Sequence, residues 1–352
     1  MKLFFKESKM KYSDLLTKSK ETLSDDYAPI KDHRSQNGRV TGIIQSQFNK
    51  FGKGDKHYNQ LLADINCLDD ARCTHIINTF LLGKFLYENC SDIRTCVNDV
   101  VKRYVNNGFK KDFLFFWFLI CLSHDLGYVE ENKGKASATF SIDPNQLGEL
   151  GDVDGVPMLY KEIYPHYYIY RKLEFGVADH GICAGLRMYK DLCNIRKEHA
   201  QYNTNPKFWR EELVPIYNLA SWIVLAHNIW FVSDAKRPDC ENYRKYALDK
   251  LILETQTGNG EQEIVHYPVK LKEYPILFLF CLVDLIEPMK KIGDEECCDS
   301  IDFKINETTL TISADLKCKC MEDYVKSIAG ASEWLCRIKL THPQCIEINF
   351  CD

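Results

Sequence analysis

The sequence predicts a mainly α-helical fold closed by a small C-terminal α+β cap, on three observations. Residues 113–122 (FLFFWFLICL) are an uninterrupted apolar run. Residues 276–286 form a second such run, broken only by Asp284. Residues 301–313 instead alternate apolar and polar, which is the period of a half-buried strand. At about 1.5 Å rise per residue the first run covers about 15 Å, half of a bilayer core, so it reads as a helix buried on all sides in protein.

The elements follow in order. Residues 1–58 are polar, carry a helix near Tyr12 to Leu23, and are expected to wrap the core. Residues 51–57 are glycine-rich but lack the Walker spacing and its Lys-Ser/Thr ending, so a turn is expected. Asp69 or Asp70 is placed to cap a helix carrying His75. Residues 129–166, rich in Gly, Pro and acids, interrupt the helical period directly after His124-Asp125. Such a stretch inside a compact domain is expected to be a lid or substrate-selecting insert, or else a surface excursion. Tyr160, Tyr164, Tyr167, Tyr168 and Tyr170 then lead into a helix containing His180, as packing or as rings able to stack a base. Residues 196–210 read as a polar connector, and Pro215 suits the first turn of the helix before His227. A helix is expected near Tyr243 to Glu254, followed by a glycine break at Gly258 and Gly260. Pro275 opens the Asp284 helix and Pro288 ends or kinks it. The tail reads as β-β-α-β: a hairpin around Asn306-Glu307, a helix over 321–336 and a strand over 345–350. The domains expected are therefore 1–58 as an N-terminal segment, 59–295 as a helical domain with the insert 129–166, and 296–352 as the cap.

A net charge of -5 provides no nucleic-acid footprint, and the lysines of the first twenty residues are interleaved with acids. The 16 cysteines include Cys121, Cys183 and Cys281 inside apolar helices, and Cys67/Cys73, Cys90/Cys96, Cys297/Cys298 and Cys318/Cys320 all lack zinc-knuckle spacing, so free thiols are expected. The apolar run near Met1 is too short for a secretory signal, and no membrane span appears. A cytoplasmic protein with no membrane partner is expected.

His124 and Asp125 stand at the inner end of the first buried helix. A buried carboxylate must be paired, protonated or bound to metal, and metal also accounts for the neighbouring imidazole. Four further segments place one such group on an apolar surface: His75, His180, His227 and Asp284. Gly181, Ala184 and Gly185 would let the His180 helix approach a neighbour closely. Taken singly, each histidine would be a core residue bonded to a carbonyl; the recurrence in five segments favours ligation. His33, His57, His166, His199, His266 and His342 lie in polar segments and default to solvent, with His57 and His166 the two to check for substrate contact.

The ordered set His75, His124-Asp125, His180, His227, Asp284 resembles the HD-domain metal-dependent phosphohydrolase superfamily, in its two-metal subgroup, over roughly residues 60 to 292. Arg72, three residues before His75, resembles the Arg that often precedes the family's first His. The resemblance implies an HD-type helical bundle with His75, His124, Asp125 and Asp284 on one metal and His180 and His227 on a second, bridged by Asp125. It implies two divalent transition metals (Mn, Fe, Ni or Zn), with Asp125 and His124 at the catalytic centre and a bridged hydroxide that attacks a phosphate ester. Arg72, Lys133, Lys135 and Asn228 are the expected substrate-binding residues, and a nucleotide or cyclic nucleotide is the expected small-molecule partner. The text His124-Asp-Leu-Gly-Tyr128 and His227-Asn228 departs from the HD-GYP relatives, which carry Lys and a second His there, so no cyclic di-GMP activity is carried over. The same ligand order also resembles di-iron oxygenases such as myo-inositol oxygenase, and a non-catalytic nucleotide sensor is a third reading.

Overall fold

The computed structural model describes residues 9–31, 40–51, 63, 68, 70–104, 113–129, 131, 150, 161–202, 213–228, 240–256, 262–315, 319–335 and 337–350. The fold is mainly α-helical with a small C-terminal antiparallel sheet, as the sequence predicts. The chain divides into two compact units, one of residues 1–34, 74–101 and 268–352, the other of residues 35–73 and 102–267.

The first unit is built on the helix Pro275–Ile286, every residue of which is buried. Full burial of a large apolar side chain is worth roughly 1.5–3 kcal/mol before entropy, so this segment anchors the unit. Pro275 lies in its first turn, where a missing N–H costs nothing. Glu287 leaves the helix with extended backbone (ψ 116°) because Pro288 follows it. The C-terminal sheet runs in the order Met10–Lys11, Ile301–Ile305, Thr309–Ala314, Cys345–Asn349, Arg337–His342, all antiparallel. Its buried face presents Phe303, Leu310, Ile312, Ile346 and Ile348, and the helix Lys319–Gly330 contributes buried Met321, Tyr324, Val325 and Ile328. The hydroxyl of Tyr324 ties this helix to the Ile286 carbonyl at 2.6 Å.

Two strands go beyond the expected β-β-α-β cap. Arg337–His342 is an edge strand in which Leu340 stays 52% exposed, so its apolar pattern is incomplete and its pairing with Cys345–Asn349 defines it. Met10–Lys11 is too short to show a period, and becomes a strand only by pairing with Phe303 and Asp302. The expected N-terminal helix spans Tyr12–Glu21.

In the second unit the helix Phe113–Ser123 is buried at every position but Leu114. The helix His180–Tyr202 packs along Val214–Ala226 through two glycines. A Cβ on Gly185 would lie 2.6 Å from the Ser221 carbonyl oxygen, and one on Gly181 would meet the His227 ring at 3.2 Å. Pro215 sits in the first turn of its helix as expected.

Residues 196–202, expected as connector, continue the His180 helix for two more turns. The helix expected near Tyr243 to Glu254 is instead the short Cys240–Lys245 followed by a hairpin, with Ile252 paired to His266 and Gln256 to Gln262. Its Leu-Glu-Thr and Glu-Ile-Val segments favour the strand once each has a partner. Tyr164, Tyr167, Tyr168 and Tyr170 are buried core, Tyr164 lying 5.2 Å from the Trp222 ring, so these four rings pack rather than offer a face for a base. Most of the insert 129–166, and with it the lid expectation, lies outside the described residues, as do Asp69, His33, His57 and Tyr160. Cys73, Cys90, Cys96, Cys297, Cys298 and Cys320 are cysteines outside any disulfide. Among the described residues no helix is long and apolar enough to cross a membrane.

Candidate functional site

In the second unit, the chain turns at residues 124–127 where the helix Phe113–Ser123 ends, which puts His124 and Asp125 at the base of that helix with no exposed surface. The His124 Nδ1–H donates to the Cys121 carbonyl at 2.6 Å. In this tautomer the Nε2 lone pair lies 3.3 Å from Asp125 Oδ1. Two electron-pair donors held that close favour a cation, proton or metal, near both. Gly127 makes the turn possible, because a Cβ there would lie 1.8 Å from the His180 carbonyl oxygen.

His227 caps the C-terminal end of Val214–Ala226, and its Nδ1–H donates to the Val224 carbonyl at 2.5 Å. Its ring is edge-on to those of His124 and His180, with centroids 5.6 Å and 5.3 Å away. His180, the first residue of its helix, donates Nδ1–H to Glu131 Oε2 at 2.9 Å. Its Nε2 is buried and has no hydrogen-bond partner among the described residues. All three imidazoles thus have Nδ1 against an acceptor, so Nε2 is the nitrogen of each that could meet a metal ion. A carboxylate or carbonyl on the far nitrogen is the arrangement that fixes tautomer and orientation in metal-binding histidines.

Supporting groups complete the cluster. Asp179 caps the His180 helix by accepting from the Ile182 N–H at 3.0 Å, and its other oxygen accepts from Asn228 Nδ2 at 2.8 Å. Asn228 Nδ2 also stands 3.4 Å from His180 Nδ1. Arg171 lies 3.4 Å from Asp179 and 3.7 Å from Glu131, holding both acids beside the His180 ring. The Arg72 guanidinium is 3.4 Å from Asp125 Oδ2 and lies over the Tyr128 ring, 3.6 Å from its centroid.

The first unit carries its own buried cluster. The His75 ring is flanked by carboxylates, with Nδ1 2.5 Å from Glu287 Oε2 and Nε2 2.9 Å from Asp284 Oδ1. Only a doubly protonated ring can donate to both. Burial opposes the charge on His75, but the hydrogen bonds to Asp284 and Glu287 and the Glu287 charge outweigh it, raising its pKa to about 9. These electrostatics favour a cation at Nε2, proton or metal. Glu287 also accepts from the Tyr12 hydroxyl, from Asn78 Nδ2 at 3.2 Å and from the Met289 N–H at 3.1 Å. Burial raises its pKa, but the bond to His75 leads the causes that hold it below the ordinary carboxylate range. Lys290 Nζ reaches Asp284 Oδ1 at 3.2 Å.

The structure brings His124, Asp125, His180 and His227 together within the second unit, with Arg72 and Asn228 beside them, and pairs His75 with Asp284 within the first. Lys133 and Lys135 lie outside the described residues. His166 is exposed. Sequence reasoning missed Glu131, Asp179, Arg171 and Glu287. For Glu287 a signal existed: it follows Asp284 by three residues, one helical turn, and both carboxylates meet one imidazole. Glu131 lies in a polar stretch and its relation to His180 is purely tertiary.

No protein-family model, curated protein or solved structure matches the chain.

Proposed function

We propose that the chain is a metal-dependent phosphohydrolase acting on a phosphate ester, with a nucleotide or cyclic nucleotide as its substrate. The observation that carries the reading is the set of three imidazoles in the second unit, each with Nδ1 engaged, with His124 Nε2 3.3 Å from Asp125 Oδ1 and the His227 ring 5.6 Å and 5.3 Å from those of His124 and His180. An orphaned buried polar atom costs about 1–3 kcal/mol, and a metal ion at the buried His180 Nε2 would remove that cost. His124, Asp125, His180 and His227 would hold metal in this unit. His75 and Asp284, in the first unit, would also serve as ligands on the resemblance stated above, which implies two metals in all.

A divalent transition metal there supplies Lewis acidity, lowering the pKa of water and neutralising charge on phosphate oxygens. The protein's own residues do the rest. Cys121, Val224 and Glu131 fix the ligand tautomers. Arg72, whose side chain is 29% exposed while Asp125 is fully buried, offers a fixed positive charge to an approaching phosphoryl oxygen from the solvent side.

The test is metal content per chain, on anaerobically and aerobically purified protein, with phosphate release scored over nucleotides and cyclic dinucleotides. About two Mn, Fe, Ni or Zn per chain, with release, is the expected result. Two irons with an oxygen-sensitive spin signal and no hydrolysis would replace this reading with the oxygenase.

A further inference from the structure

Tyr128 occupies a position in the second unit that the proposed reaction leaves unexplained. Its ring is stacked on His180, with centroids 3.9 Å apart and planes at 15°, while its other face carries the Arg72 guanidinium 3.6 Å from the centroid. One aromatic ring is therefore the middle layer of a three-layer stack. One outer layer is an imidazole whose Nε2 is buried and has no hydrogen-bond partner among the described residues, and the other is a cation in contact with Asp125. With both faces covered, Tyr128 is closed to stacking with a substrate base.

Two long-range consequences follow from that sandwich. An arginine has four rotatable side-chain bonds, so a guanidinium meant to meet an anion must be held in one place. The Tyr128 face and the Asp125 oxygen do this from two directions, one through the ring quadrupole and one through charge. His180 is similarly fixed from two sides, in its plane by Glu131 and across its face by Tyr128. Rotation of His180 out of this plane would break both contacts and displace its Nε2.

We infer that Tyr128 is a positioning residue that holds a metal ligand, His180, and an oxyanion receptor, Arg72, in fixed relation, so that the site selects a tetrahedral oxyanion, as in a phosphoryl group, beside the metal. The inference rests on the metal-centre reading above and adds the residue that sets its geometry. The ring faces carry this role.

Full-length wild type, Tyr128→Phe and Tyr128→Leu are compared by two measurements: Co2+ titration followed by the visible absorption of the bound ion, and calorimetric binding of inorganic phosphate to the Co2+-loaded protein. Tyr128→Phe keeps both faces and is expected to reproduce the wild-type spectrum and phosphate affinity. Tyr128→Leu is expected to change the Co2+ spectrum, through loss of a fixed imidazole, and to weaken phosphate binding about 3- to 30-fold, the range of a lost cation–π contact. A Tyr128→Leu protein with wild-type spectrum and phosphate affinity overturns the role of Tyr128, as does a Tyr128→Phe protein as impaired as Tyr128→Leu. Wild type that takes up no Co2+ overturns the metal-centre reading itself, and wild type that binds Co2+ but no phosphate overturns the oxyanion assignment.

Discussion

Removing Glu131 tests whether the buried histidines of the second unit are ligands or packing. Its Oε2 accepts from His180 Nδ1 at 2.9 Å in a buried setting, a hydrogen bond to a charged acceptor. Such a bond is worth about 1.5–3 kcal/mol, and at about 1.4 kcal/mol per tenfold its loss corresponds to about 10- to 150-fold. Not all of that need reach the metal, and outer carboxylates on ligating histidines typically account for about 10- to 100-fold in metal affinity. Glu131→Ala is expected to weaken metal binding by that factor. Glu131→Gln keeps an acceptor and loses the charge; since charge-assisted bonds are roughly twice as strong as neutral ones, it should lose about 3- to 12-fold. The assay is competition for Zn2+ or Co2+ against a chelator of known affinity, on protein whose circular dichroism matches wild type. A cycle with His180→Ala gives the control, because Glu131 should have little effect once the imidazole is gone. Wild-type affinity in Glu131→Ala, or full additivity with His180→Ala, would refute the assignment of His180 as a metal ligand.

Asp125→Ala should empty the protein of metal, whereas His180→Ala or His227→Ala should lose mainly one of two ions; elemental analysis per chain reads this, and full retention in Asp125→Ala sinks the bridging role. Gly127→Ala drives a Cβ to 1.8 Å from the His180 carbonyl and should cost about 1–3 kcal/mol or more in calorimetric unfolding, while Gly42→Ala, with nothing within 4 Å, should be neutral or slightly stabilising. Tyr12→Phe removes a donor from the buried Glu287 carboxylate and should lower stability by about 1.5–3 kcal/mol in denaturant titration. The pH dependence of the metal-free protein follows from signs. His75 is raised to about 9 from 6.5, so its contribution is complete below 6.5 and lost as pH rises through about 9. Glu287 is lowered from 4.5, so its contribution is present above 4.5 and lost as pH falls through its folded value. Stability from this pair should peak between about 4.5 and 6.5, and a flat profile of melting temperature across pH 5 to 9 would contradict the double carboxylate contact.

Within its own residues the sequence determined the helical class, the two most deeply buried helices, the hairpin of the cap and the identity of the ionisable groups set into apolar surfaces. Each of these is a local signal: an unbroken apolar run, a period of two, or a charge where none belongs. The glycine spacing of the His180 helix was legible for the same reason, since a missing side chain at Gly181 and Gly185 is visible before the neighbour that needs the space is known. Tertiary structure alone decided the rest. Met10–Lys11 and Arg337–His342 are strands because a partner supplies their hydrogen bonds. Glu131, Tyr128 and Arg72 become parts of one site because the turn at Gly127 brings the His180 backbone against it, a contact between residues far apart in the chain. Ligand candidates are marked by their own incongruity in an apolar segment. Glu131 and Arg171, which hold them, sit in ordinary polar sequence, and nothing short of the folded chain distinguishes these two.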